Sequence, residues 1–321
     1  MTDGDQSPQA EDLGTMTFGE HLDELRRRML VSVIAVVVVM LFFLLQKKTV
    51  MSFVFGPYDR MWQEQAELWR AEQLKTTPAE LAKVPAHLLA ERQFLLDNWD
   101  KIATQEKIPG VDLELIARGQ GFRLPRRLVT FTPLQDIVTF MIAAILCGIA
   151  VSSPLLLHQM WRFIGAGLYK NERRTVMMFL PTSILLFGAG MTFGYIVMVP
   201  NALFFLYGLA DADFLLGVRE YFRFLFLLTI ALGCVFQLPV IMVALTKVGI
   251  TTPQTFTKYW RQFILAIFII GALFTPPDPI TQIMMAVPMV GLYLIGIVLA
   301  KLVYRNKLKA EAGAETEQDA S

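Results

Sequence analysis

Charge is scarce in this 321-residue chain: Asp, Glu, Lys and Arg together make up 18% of it. So little charge beside 55% hydrophobic residues, with a mean hydropathy of +0.49, excludes an ordinary water-soluble domain and places the chain among membrane proteins. The net charge of +1 implies no nucleic-acid partner. Histidine is scarcer still. His21, His87 and His158 are scattered, and no His-Glu-x-x-His or Cys-x-x-Cys spacing exists to hold a metal. Neither a G-x-S-x-G elbow nor a phosphate loop occurs, and the apolar runs contain no nucleophile with its base and no pair of aspartates. The reading is a protein that is not an enzyme and uses no cofactor. Its two cysteines, Cys147 and Cys234, both fall in apolar runs, where a small buried apolar role is expected in preference to a disulfide. A cleavable leader is not expected, because a polar stretch through Gly14 precedes the first apolar run and no small-x-small site follows it.

Long apolar runs are what the chain has in abundance. Crossing about 30 Å of hydrocarbon as a helix takes about 20 mostly apolar residues. Six candidates appear, at about 29–45, 134–157, 176–199, 221–245, 263–274 and 280–303. The runs are continuous, not alternating, so they are helices and not barrel strands. This predicts an all-α, polytopic membrane protein of six spans within a membrane domain over 29–303. The fifth run is anomalous: about 18 Å long at 1.5 Å per residue, it is too short for a normal bilayer core and implies local thinning. Short loops carrying Arg26, Arg27 and Arg28, then Arg162, Lys170, Arg173 and Arg174, then Lys247, Lys258 and Arg261, put both termini in the cytoplasm by the positive-inside rule. Residues 1–28 then form a cytoplasmic segment, 46–132 an extracytoplasmic insertion, and 304–321 a cytoplasmic tail.

Local patterns add detail. Residues 1–15 are polar and expected to be disordered. Thr17-Phe18-Gly19-Glu20 reads as a capping box, and Phe18, Leu22, Leu25 and Met29 form an apolar stripe, with Glu20, Glu24 and Arg28 on another face. This predicts an amphipathic interfacial helix running into span one. In the insertion, Tyr58 to Lys75 and Ala86 to Lys107 have helical spacing, with a capping box at Thr77-Pro78-Ala79-Glu80 between them, so a small helical cap is expected. Thr132-Pro133 starts span two, and Pro181, Pro239 and Pro288 predict kinks in spans three, four and six. Gly190 and Gly194 form a G-x-x-x-G that permits close helix approach.

Two clusters carry the chemistry. His21-Leu22-Asp23-Glu24-Leu25-Arg26-Arg27-Arg28 precedes span one, and Leu168-Tyr169-Lys170-Asn171-Glu172-Arg173-Arg174 precedes span three. Glu24 has an i,i+4 partner in Arg28, and Glu172 has local partners in Arg173 and Arg174, but exposed pairs of that kind contribute only about 0–1 kcal/mol. The alternative is capture of a ligand's guanidinium groups by the two carboxylates, which is directional and roughly twice as strong as a neutral hydrogen bond. Gln237 is the one strongly polar residue deep in a span. Its readings are an interhelical hydrogen bond, a bond to the carbonyl freed by Pro239, or a site for a polar peptide group entering the protein. A secondary transporter of small solutes is the second functional class, though no inverted repeat pairs the first three spans with the last three.

These residues resemble TatC, the multispanning core of the twin-arginine protein translocase. The resemblance is carried, in order, by His21 to Arg28, Gly56-Pro57, Gln159-Met160-Trp161-Arg162-Phe163-Ile164, Leu168 to Arg174, Phe236-Gln237-Leu238-Pro239-Val240, Gly249-Ile250-Thr251 and Leu273-Phe274-Thr275-Pro276-Pro277-Asp278. It implies a receptor in a prokaryotic cytoplasmic membrane that binds the twin-arginine signal peptides of folded precursors. Glu24, Arg26, Phe163, Glu172, Arg173 and Arg174 fall at its signal-peptide site, and Pro57 and Asp278 in its outer-loop motifs. It implies small single-span partners, self-association in a larger complex, and transport driven by the proton-motive force. Two positions depart from the family pattern: Gln237 stands where a glutamate is frequent, and Ala166 where a proline is usual. The resemblance does not extend to residues from about Arg60 to Arg123.

Overall fold

The computed structural model describes residues 18–82, 84–103, 132–167, 170–209, 217–274 and 279–319. The protein is an all-α membrane protein. Among the described residues its helices are α1 (Phe18–Leu44), α2 (Lys47–Lys75), α3 (Pro78–Leu81), α4 (Ala86–Asp97), α5 (Trp99–Ala103), α6 (Pro133–Ala166), α7 (Lys170–Met177) and α8 (Leu180–Phe193). A π-helical turn, Gly194–Met198, leads to α9 (Val199–Leu209). There follow α10 (Val218–Val235), α11 (Leu238–Val248), α12 (Pro253–Lys258), α13 (Trp260–Phe274) and α14 (Pro279–Asp319). Among the described residues, five stretches are long and apolar enough to cross a membrane: Gly19–Leu44, Leu134–Ala166, Arg173–Leu206, Val218–Val248 and Gln282–Lys309. The remaining apolar helix, α13, has 15 residues and is about 22 Å long.

On α1 the apolar stripe faces out and the polar face turns to protein: Leu22 is 49% and Met29 57% exposed, whereas Arg28 is 8% exposed. The medium explains this facing. Lipid tails are as apolar as leucine, so the hydrophobic stripe gains nothing by turning inward and the polar face turns to protein. The helix is also continuous, with no break between an interfacial part and span one. Its packing runs chiefly along α6, where Gly148 lets the backbones meet: a Cβ there would lie 3.2 Å from the Val36 carbonyl oxygen.

Spans three and four approach just as closely. A Cβ on Gly190 would lie 2.7 Å from the Leu232 carbonyl oxygen, and one on Gly194 would lie 3.2 Å from the Thr229 Cα. The G-x-x-x-G is thus a packing contact. One core cluster then joins α2, α6, α8, α9, α10, α13 and α14 through residues such as Met61, Leu146, Phe187, Leu203, Leu225, Ile267 and Met289. A second, around Trp161, Val240 and Ala244, joins α6 to α11.

Prolines punctuate the spans. Pro181 and Pro239 stand in the first turns of α8 and α11, after the turns at 178–179 and 236–237, and Pro288 lies inside α14. Sequence patterns missed Pro154, which lies inside an unbroken α6, and the π-helical turn ahead of Pro200. Pro200 has no N–H, so the preceding turn widens. Of the cysteines, Cys147 is buried but Cys234 is exposed on its span, and both are free thiols.

Outside the spans, α2 begins at Lys47, well before the helical pattern that starts at Tyr58. Val50 and Val54 are fully buried and extend it backward. Glu80 accepts hydrogen bonds from the Thr77 N–H at 2.9 Å and from the Thr77 hydroxyl at 2.8 Å, which hold its carboxyl below the usual range. The pattern predicted for Ala86 to Lys107 appears as α4 and α5, parted at Asn98 and described as far as Ala103. Thr17, the turn residues Gly110, Gly119, Gly121 and Pro125, and Asp278 lie outside the described residues.

Gly56-Pro57 acquires a physical reason. Pro57 cannot donate to the Phe53 carbonyl one turn back. The Tyr195 hydroxyl, from the π-helical turn, donates to that carbonyl instead. Gly56 leaves the room, since a Cβ there would lie 2.6 Å from the Tyr195 Oη. One residue on, the buried Tyr221 hydroxyl donates to the Val54 carbonyl at 2.7 Å. Two tyrosines from spans three and four thus repair the helix that Pro57 interrupts. Tyr221→Phe keeps the ring but removes the buried hydroxyl that donates to the Val54 carbonyl. It is expected to cost about 1–3 kcal/mol, read as a lower thermal unfolding midpoint of the detergent-solubilised protein.

Candidate functional site

Three segments converge at one end of the bundle. α1 starts there, α6 ends there, and α7 follows across that end. His21 stacks on Phe163 with ring centroids 4.4 Å apart. A Cβ on Gly167 would lie 3.5 Å from the His21 ring, and one on Gly165 would lie 3.2 Å from Cγ of Arg173. Small residues at the end of α6 therefore let α1 and α7 close onto it from two sides. Nearby, α11 ends at Gly249, whose φ of +97° suits glycine, and a Cβ there would lie 3.2 Å from Lys307 Nζ of α14. Lys247 stands over the Phe179 ring at 5.6 Å. This end of the bundle is therefore rich in cations.

At the centre of this end, Arg28 joins two residues. Its Nη2 pairs with Glu24 Oε1, and its Nη1 donates to Gln159 Oε1 at 3.1 Å. The i,i+4 pair foreseen for Glu24 is therefore present, but it is part-buried and carries a third member from α6. Glu24 keeps 21% of its side chain exposed against 9% for Arg28, and Oε2 has no partner among the described residues. Arg26, Arg173 and Arg174 are exposed. Phe163 is half-buried against His21. Glu172 lies on α7, its side chain outside the described residues. The structure thus gathers Glu24, Phe163, Arg173 and the helix bearing Glu172 at one end, while Pro57 belongs to the Tyr195 and Tyr221 contacts on α2. A half-exposed carboxylate with a free oxygen, beside an aromatic ring, can accept a charge-assisted hydrogen bond from a ligand cation.

A buried polar node lies deeper. Trp161 Nε1 donates to Ser183 Oγ at 2.7 Å, and Gln237 Nε2 donates to the Ser183 carbonyl at 3.1 Å. Gln237 is 4% exposed, so it faces protein and not lipid, and its Oε1 has no partner among the described residues. Of the readings open for Gln237, the interhelical hydrogen bond is the one present. Sequence reasoning missed Ser183 and the contact of Arg28 with Gln159. Ser183 has no signal at all in an apolar run, and its partners lie 22 and 54 residues away.

A family model described as Sec-independent protein translocase protein (TatC) matches residues 20–288. Sec-independent protein translocase protein TatCy of Bacillus subtilis (strain 168) is 37% identical over 188 residues, which are 58% of this chain and 74% of that protein. Sec-independent protein translocase protein TatC of Aquifex aeolicus (strain VF5) is 38% identical over 184 residues, 56% of this chain and 76% of that protein. A crystal structure of a twin arginine translocase receptor, TatC, in DDM matches with a TM-score of 0.62 at 28% identity, covering 87% of this chain and 99% of that one.

The node at Ser183 gives a test of its own. Ser183→Ala leaves the Trp161 N–H buried without an acceptor, at an expected cost of about 1–3 kcal/mol. Combined with Trp161→Phe, which removes the donor, the cost should be less than the sum of the two single changes. Unfolding of all three variants in one detergent measures the coupling.

Proposed function

We propose that this chain, which belongs to the TatC family of Sec-independent protein translocase proteins, is the receptor that captures signal peptides bearing paired arginines. The family makes it a transport protein, a multi-pass component of protein translocation in the bacterial inner membrane. Within that role, the end of the bundle that holds Glu24 faces the cytoplasm, as the basic short loops argue. Glu24 and Glu172 receive the two guanidinium groups, and Arg26, Arg173 and Arg174 shape the surrounding field. Phe163 offers the peptide an apolar contact. Folded precursors cross with single-span partners, further copies of this chain and the proton-motive force.

The observation that carries this reading is the convergence of α1 and α7 on the end of α6, through the His21–Phe163 stack and the Gly165–Arg173 contact. It sets the Glu24 segment and the Glu172 helix against one short stretch of α6. Each charged hydrogen bond to an arginine is worth about 1.5–3 kcal/mol. Glu24→Ala and Glu172→Ala together should therefore weaken binding of a paired-arginine signal peptide by more than either alone, with the variant still folded. Undiminished binding to a folded double variant ends the proposal.

Gln237 Oε1, without a partner among the described residues, supports a later step, in which a donor from the peptide or a single-span partner reaches the polar node at Ser183. Gln237→Leu should leave signal-peptide binding near the parent level and lower completed transport in membrane vesicles. Full transport in that variant removes Gln237 from the path.

A further inference from the structure

We propose that Arg28, held by Gln159, is a positioning residue that fixes the Glu24 carboxylate and sets its preference for guanidinium over ammonium. This rests on the receptor reading above. Arg28 comes to Glu24 from the protein side, since it is 8% exposed and its partner is more open. Its two terminal nitrogens are both engaged, one by Glu24 and one by Gln159 at 3.1 Å, while its Nε has no partner among the described residues. Two contacts on a planar group fix the plane of that group, and through Nη2 they fix Oε1 of Glu24. The whole carboxylate, Oε2 included, is then held at a set angle to Arg28.

Stability gives little reason for this arrangement. A part-buried ion pair can be replaced by apolar residues at little cost, and often with a gain. Geometry gives a better one. A guanidinium ligand bonds a carboxylate through rigid, in-plane N–H groups, so it benefits when the carboxylate is held still. An ammonium is a compact charge with rotatable donors and is nearly indifferent to that angle. Arg28 also cancels the charge of Glu24, so simple attraction of any cation is reduced and directional bonding counts for more. A lysine at 28 retains the charge but lacks the fork that reaches both partners. A methionine at 159 retains the volume but lacks the acceptor that anchors Arg28.

The test uses the full-length protein in lipid nanodiscs and two versions of one synthetic signal peptide, with Arg-Arg or Lys-Lys at the paired site. The parent should prefer Arg-Arg. Arg28→Lys and Gln159→Met should each weaken Arg-Arg binding about tenfold, roughly one directional charged hydrogen bond. Lys-Lys binding should stay unchanged, so the preference collapses. Variants that keep the parent's ratio, or that lose both peptides equally, overturn the proposal, because a merely structural role lowers both alike. A parent without preference between the peptides overturns the receptor reading itself, and this inference falls with it. Having two variants keeps the test decisive if Arg28→Lys fails to fold.

Discussion

A chain that lives in lipid cannot leave backbone polar groups to water, and the breaks in these helices are arranged around that constraint. Pro57 frees a carbonyl, and the Tyr195 hydroxyl of another span takes it. The Val54 carbonyl accepts the Tyr221 hydroxyl. Span four turns at Phe236 and Gln237, and the Gln237 amide reaches across to the backbone of span three. Each irregularity therefore doubles as a tether between elements far apart in sequence. The polar repairs hold α2 to spans three and four at one end and join spans two, three and four near the other.

Between these tethers the bundle relies on close contact of backbones. Lipid provides no hydrophobic drive for one apolar helix to leave it for another, so van der Waals packing must bring the helices together. Glycine at 148 supplies it for spans one and two, and glycines at 190 and 194 for spans three and four. Those crossings determine where the helix ends fall. With α1 seated on α6, His21 meets Phe163 and Arg28 meets Gln159, which gives the proposed receptor site its shape.

The sequence made the spans legible, because continuous apolar runs need no long-range information. The short fifth helix and the breaks at Pro181 and Pro239 were legible for the same reason. So were the two charged clusters, since each is a local string of unlike charges beside an apolar run. The stripe at Leu22 and Met29 was legible and faces outward, but the burial of Arg28 on the opposite face was not. Partners were not legible. Arg28 and Gln159 are separated by 131 residues, and Tyr221 and Val54 by 167, and such pairings leave no periodic trace. The Thr77 to Glu80 cap, complete within four residues, is the contrasting case.

Span one has one further consequence. Only 6% of its apolar window is buried, and its packing is almost wholly against α6. A rod held along one side peels as a unit, so its separation from α6 defines a cooperative opening that leaves the core of spans two to four intact. The stiffness of the solvent around it, whether acyl chains under lateral pressure or a detergent micelle, sets how often this opening is visited. Glu24 rides on the same rod. The lipid bilayer thereby becomes a mechanical part of the site, pressing α1 against α6 so that the carboxylate stays in register with Gln159.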